Sequence, residues 1–231
     1  TTPGGTDIVN WTDNGTSTSV RRSFVGMKLI PGTTYYFSVK AENGAGLQSN
    51  PVNSDGITVD TTDPTIQNLT SSTHPNQANW YSNNKPSYSW EGSDGSGSGV
   101  KGYYYLLDQV SSHTKDEVKN NGTYTTSTSY TETNSKADGI WYFHLIAEDN
   151  AGNISEVATY TTRIDVSPPT DISIVNDGEG EDIDWTSSTE ELSANWTAST
   201  DSESGIVRYW FAIGTTPGGT DIVNWTDNGT S

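Results

Sequence analysis

Leu29-Ile30-Pro31-Gly32-Thr33-Thr34-Tyr35-Tyr36-Phe37-Ser38-Val39-Lys40-Ala41 is the stretch from which the fold is read. Tyr35, Phe37, Val39 and Ala41 alternate with Tyr36, Ser38 and Lys40, the period of two expected where one face of a strand packs inward and the other meets water. The pattern returns 106 positions later as Trp141, Phe143, Leu145 and Ala147. At the same offset Trp90, Gly99, Val100, Tyr103 and Tyr105 become Trp196, Gly205, Ile206, Tyr209 and Phe211. These pairs imply two modules built on one plan, each an antiparallel β-sandwich.

A longer identity encloses both modules. Residues 1–17, TTPGGTDIVNWTDNGTS, recur letter for letter as residues 215–231, a separation of 214. The chain therefore reads as one period of a long repeat plus the opening of the next. Two Pro-containing joints divide it, Asp60-Thr61-Thr62-Asp63-Pro64 and Val166-Ser167-Pro168-Pro169. Proline stiffens each joint and blocks strand pairing across it. The expected organisation is a C-terminal half-module at 1–59, a linker at 60–64, a whole module at 65–165, a linker at 166–169, and the N-terminal half of the next module at 170–231.

The run from Leu29 to Ala41, with Glu42-Asn43-Gly44-Ala45-Gly46 behind it, resembles strand F and the F–G turn of a fibronectin type III domain. That resemblance implies that Tyr35 is a tyrosine-corner residue whose hydroxyl bonds back to the preceding loop. The 65–165 module carries Trp80-Tyr81, the turn Ser93-Asp94-Gly95-Ser96-Gly97-Ser98-Gly99 ahead of Val100, and Asp149-Asn150-Ala151-Gly152-Asn153. In these it is similar to the bacterial immunoglobulin-like repeats of large secreted and surface proteins. Together the resemblances imply an all-β chain of tandem antiparallel β-sandwiches, fibronectin type III-like and immunoglobulin-like, with Trp90, Trp141 and Trp196 as structural residues. They imply no enzymatic activity.

Composition agrees with thin sandwiches. Hydrophobic residues make up only 30% of the chain, yet there are 8 Trp and 12 Tyr, so a few large rings carry the apolar area. The formal charge of −18 disfavours nucleic acid and anionic lipid and favours cations as partners. With no cysteine, disulfides and thiolate metal sites are excluded. No apolar run approaches the roughly 20 residues of a membrane helix.

A module split between the two ends of one chain poses a geometric problem. A linker of five residues spans at most about 18 Å, too little for the chain to double back past the whole 65–165 module. The missing half is expected from a neighbouring repeat, either in one longer polypeptide or in separate chains joined head to tail as an open contact. Two sandwiches in line would advance roughly 70–80 Å per period.

Calcium is the expected cofactor because carboxylates on glycine-kinked loops supply hard oxygen ligands. The candidates are the acidic run Asp177, Glu179, Glu181, Asp182 and Asp184, and the turns holding Asp94 and holding Asp201 and Glu203. Asn-x-Ser/Thr sequons stand at Asn10, Asn14, Asn68, Asn121, Asn153, Asn195, Asn224 and Asn228. His74, His113 and His144 share no metal spacing and are expected at the surface. Glycine pairs such as Gly95/Gly97 lack the third glycine and the following helix of a phosphate loop. With no triad and no matched carboxylate pair, the expected function is mechanical, a structural segment of an extracellular filament, stalk or surface fibre. The rival reading is an adhesin or carbohydrate-binding module, with Trp11, Trp80 and Trp185 as exposed rings able to stack on sugars.

Overall fold

The computed structural model describes residues 2–24 and 28–229. Ahead of the first linker lie four two-residue strands, β1 (Thr34–Tyr35), β2 (Ser38–Val39), β3 (Val52–Asn53) and β4 (Ile57–Thr58). The central module carries β5 (Thr65–Ser71), β6 (Trp80–Tyr81), β7 (Ser87–Ser93), β8 (Val100–Asp108), α1 (Lys115–Asn121), β9 (Thr123–Thr125), β10 (Ser129–Thr131), β11 (Gly139–Asp149) and β12 (Ala158–Ile164). Beyond the second linker come β13 (Val175–Asp177), β14 (Ala194–Trp196), β15 (Trp210–Ile213) and β16 (Val223–Asp227).

The alternation seen at 141–147 becomes the centre of β11, and β11 organises the module. One sheet runs β10-β7-β5 and the other β6-β12-β11-β8-β9. Tyr88 and Trp90 of β7 meet Phe143, Leu145 and Ala147 of β11, Tyr103 of β8 and Tyr160 of β12 in a single core. Phe143 stacks on Tyr88 with ring centroids 4.1 Å apart and planes 12° from parallel. Each ring fully withdrawn from water contributes roughly 1.5–3 kcal/mol, which is how a chain poor in aliphatics closes a sandwich. The sheets are not wholly antiparallel: β6 pairs with β12 in parallel, Arg163 with Trp80 and Ile164 with Tyr81. The chain leaves the first sheet after Ser71 and joins the edge of the second at Trp80, where it meets a strand running the same way.

A second departure lies on the outer face of β11. Its pattern predicts alternate burial, yet Phe143 to Asp149 are all buried. The cover is α1, whose Val118 is wholly buried. Thr114 and Glu117 form a reciprocal capping box, Asp116 and Glu117 occupy the first turn, Lys119 occupies the last, and the Gly122 N–H closes onto the Val118 carbonyl at 2.9 Å. Each of these contacts satisfies a terminal backbone group or the helix dipole. A helix this short with one apolar residue leaves no periodic signal.

Neither end segment builds a comparable core. Among the described residues each holds only two-stranded ladders, β1 with β4, β2 with β3, β13 with β14 and β15 with β16. Among the described residues no ladder joins the chain before Asp60 to the chain after Pro169. Phe37 is 49% exposed, whereas Phe143, its counterpart in the pattern, is fully buried. The duplicated stretch behaves differently in its two places: Val223–Asp227 forms β16 against β15, but the identical residues 9–13 have no ladder partner. Local bonding is the same in both, with the Trp11 and Trp225 N–H groups donating to Asn10 and Asn224 Oδ1 at 2.8 Å each. What differs is the presence of a strand to pair with.

Candidate functional site

Three separate stretches bring carboxylates together at the pole of the central sandwich beside the first linker. Asp60 comes from the linker, Asp94 from the turn after β7, and Asp149 from the end of β11; one oxygen of each lies within 4.8 Å of the others. The backbone holds them there. Asp60 accepts from the Thr62 N–H at 2.9 Å through Oδ1 and from the Ser98 N–H at 2.6 Å through Oδ2. Asp94 Oδ2 accepts from the Gly99 N–H at 2.7 Å. Asp149 Oδ1 accepts from the N–H groups of Gly152 at 2.6 Å and Asn153 at 2.8 Å, and Oδ2 from the Asn153 amide at 2.8 Å. The Thr62 and Ser98 donors hold the Asp60 carboxyl below the usual aspartate range.

The glycine-rich turn is what permits this approach. A side chain at Gly97 would place its Cβ 2.5 Å from Asp94 Oδ2 and 2.8 Å from Asp60 Oδ2. Asp94 is 6% exposed and Asp149 fully buried. Two like charges within 4.8 Å repel by about 3.5 kcal/mol or more at an effective dielectric of about 20. Among the described residues no Lys, Arg or His is paired with any of the three; the nearby lysines go elsewhere, Lys115 to Asp63 and Glu156 and Lys101 and Lys119 to Glu148. The linker is docked and not free, since Asn153 Nδ2 also donates to the Asp60 carbonyl at 3.3 Å and Pro64 is buried.

Of the sequence candidates for calcium, only Asp94 lies in this cluster. The expectation that Asp177, Glu179, Glu181, Asp182 and Asp184 share a cation is corrected. They are exposed and do not converge, and Asn195 occupies the inside of their loop, donating to the Gly178 and Gly180 carbonyls at 3.0 and 2.9 Å. Asp201 caps its own turn, with the N–H groups of Gly205, Ser204 and Glu203 holding its carboxyl below the usual range. Glu203 instead meets Asp138 and Asp165 beside the second linker, a more open group in which Asp138 already accepts from Val166 and Ser167. Asp60 and Asp149 were not among the sequence candidates. The signal lay in Asp60 of the first linker and Asp149-Asn150-Ala151-Gly152-Asn153, read there as a joint and a turn.

Tyr35 makes the corner contact, its hydroxyl accepting from the Ile30 N–H at 2.9 Å. Trp90 is buried in the core, Trp141 is half-buried with its indole N–H donating to the Ala137 carbonyl at 2.9 Å, and Trp196 packs on Tyr209. Asn10, Asn14, Asn68, Asn121, Asn224 and Asn228 are exposed. Asn153 and Asn195 are half-buried, and their amide nitrogens donate within the fold, to Asp149 and the Asp60 carbonyl and to the Gly178 and Gly180 carbonyls.

The histidines also differ from expectation. His74 and His144 are fully buried, and His113 and His144 converge with Asp108. That group is internally satisfied: His113 Nε2 meets Asp108 at 2.9 Å, while His144 meets the Val110 carbonyl through Nε2 at 2.8 Å and Thr159 through Nδ1 at 2.9 Å. Burial holds His144 below the usual histidine range and so neutral. Of the rings proposed for sugar stacking, Trp185 is 90% exposed, Trp11 lies under the Lys40 ammonium, and Trp80 lies under the Arg163 guanidinium. Among the described residues no helix is long and apolar enough to cross a membrane.

The chain is similar to the solved fibronectin(III)-like modules of Clostridium thermocellum CbhA, at 15% identity and a TM-score of 0.33, over 57% of this chain and 62% of that one. It thus spans less than two thirds of that structure's length. No family model and no curated protein matches the chain.

Proposed function

We propose that this chain is a structural segment of a long extracellular filament, stalk or surface fibre, in which neighbouring identical repeats join head to tail. The observation that carries this reading is the duplicated stretch: Val223–Asp227 is a strand because Trp210–Ile213 stands before it, and residues 9–13 lack that partner. A preceding repeat supplies the same partner to residues 9–13. It also supplies cover for Phe37, Val39, Leu47, Val52 and Ile57, all left exposed on the 1–59 half. On the other half Ile172, Val175, Leu192, Val207 and Trp210 are exposed in the same way. Completing the module joins two apolar surfaces, each of which is unstable in water alone. Such an array transmits tension through antiparallel ladders, and its acidic surface keeps parallel fibres apart.

The test is a chain in which residues 170–214 are placed directly ahead of Thr1. Calorimetry should then show a second cooperative transition, with hydrogen-exchange protection appearing across residues 9–13 and 34–58. If the added segment leaves those amides unprotected, the reading fails. Binding of the unextended, monomeric chain to glycans at micromolar affinity would instead favour the adhesin class.

A further inference from the structure

We propose that Asp60, Asp94 and Asp149 bind a calcium ion that ties the first linker to the pole of the central sandwich. The site lies within a single chain, so the inference goes beyond the filament reading and does not depend on it. Convergence of the three carboxylates within 4.8 Å is the first observation. The second is independent of it: Asp94 is 6% exposed, and its Oδ1 is sealed from water with no hydrogen-bond donor. A buried carboxylate oxygen left bare is costly unless a donor or a cation meets it. Because Asp94 Oδ2 is held by the Gly99 N–H at 2.7 Å, the group cannot turn to find a donor without giving that bond up.

The donor set names the ion. Three carboxylates with neither imidazole nor thiolate suit a hard cation. Calcium accepts irregular sets of six to eight oxygens, whereas magnesium demands a near-octahedral set and keeps its waters. Asp60, Asp94 and Asp149 come from a linker, a turn and the end of a strand, an irregular set. Gly97 leaves the floor of the site open, where a Cβ would crowd Asp94 and Asp60. Since Asp60 belongs to the linker and the other two to the sandwich, an ion bound to all three favours the docked linker by mass action. The joint then stiffens with calcium and loosens without it.

The experiment is calorimetric titration of CaCl2 into the EGTA-treated 231-residue chain, paired with thermal unfolding in EGTA and in calcium. A saturable site and a thermal midpoint that rises with calcium are expected at or below about 1 mM, the range of extracellular calcium modules. Asp94→Asn should weaken binding about a hundredfold or more, in line with loss of a charged ligand, while its midpoint in EGTA equals or exceeds that of the parent chain, because a carboxamide can donate where a carboxylate repelled. Asp60→Asn, on the half-exposed linker, should weaken binding while leaving the sandwich transition in EGTA unchanged, so that loss of binding is separable from loss of folding. Glu179→Gln with Asp182→Asn in the acidic loop should leave the response intact. No calcium-dependent shift in the parent chain overturns the proposal, as does an undiminished response in Asp94→Asn, loss of the response in the acidic-loop variant, or an equal response to magnesium alone.

Discussion

Phe143 and Phe37 occupy matching positions of one sequence pattern, 106 residues apart, and truncating each to alanine compares a buried ring with a half-exposed one. Phe143 is wholly buried, stacked on Tyr88, Tyr105 and Tyr130 at centroid distances of 4.1, 5.7 and 6.0 Å and tilted against Trp90 at 5.7 Å. Removing it deletes a ring from the centre of both sheets and leaves a cavity that four rings cannot close. Such changes cost about 3–5 kcal/mol. In a module of this size each kcal/mol moves the thermal midpoint by about 4–8 °C, so a loss of 4 kcal/mol lowers it by about 16–32 °C. Phe37 is already 49% exposed. With half its transfer gain forgone and no enclosed cavity to leave, Phe37→Ala should cost about 1 kcal/mol or less in the same chain. When residues 170–214 are placed ahead of Thr1, the Phe37→Ala cost should rise toward that of Phe143→Ala. Scanning calorimetry and urea titration followed by tryptophan emission measure all three costs. The reasoning is refuted if Phe143→Ala costs less than about 1.5 kcal/mol, the level of a mere volume-conserving swap. It is equally refuted if the cost of Phe37→Ala does not change when the extra half-module is supplied.

Thr114→Ala removes the cap that starts α1, where Thr114 Oγ1 accepts from the Glu117 N–H at 3.3 Å; a cost of about 1 kcal/mol is expected, read by urea titration, together with faster hydrogen exchange at the Val118 and Gly122 amides of the helix. Acid should act partly through Glu132. Burial alone would raise its carboxyl, but the Lys136 ammonium at 2.7 Å, the Asn134 N–H at 2.8 Å and the Tyr130 hydroxyl at 3.0 Å outweigh burial and hold it below the ordinary glutamate value. That contribution is complete above the unfolded-state value of about 4.3 and is lost as pH falls through the lower folded value. Thermal midpoints between neutral pH and pH 2.5 should therefore fall less steeply for Glu132→Gln than for the parent chain, and parallel curves would exclude the mechanism.

Much of the architecture was legible because it rests on local periodicity. The alternation of Tyr35, Phe37, Val39 and Ala41 with polar residues, its return at Trp141 to Ala147, and the exact duplication of residues 1–17 need no three-dimensional knowledge to be read. Whatever depends on which surface lies against another was not legible. His144 falls on the face that alternation assigns to water, and it is buried because the loop ahead of α1 folds over it, the His113 ring packing on it at 4.8 Å and the Val110 carbonyl meeting its Nε2 at 2.8 Å. The sequons at Asn153 and Asn195 look like the other six, yet these two asparagines are half-buried where the other six are exposed, with their amides turned onto Asp149 and onto the Gly178 and Gly180 carbonyls.

The carboxylate cluster at the sandwich pole shows the same division. Charge density along the chain pointed to Asp177 through Asp184, where the carboxylates spread into water, as like charges on an exposed loop will. Asp60, Asp94 and Asp149 are far apart in the chain, one in the linker, one in the turn after β7 and one at the end of β11. By itself the sequence determined the β character of the chain and the alternation that becomes the centre of β11, because hydrophobic alternation acts within a few residues of itself. Only the tertiary structure decided which carboxylates meet, which helix packs on which strand, and that among the described residues no ladder joins the two end segments, because those outcomes depend on surfaces brought together by folding.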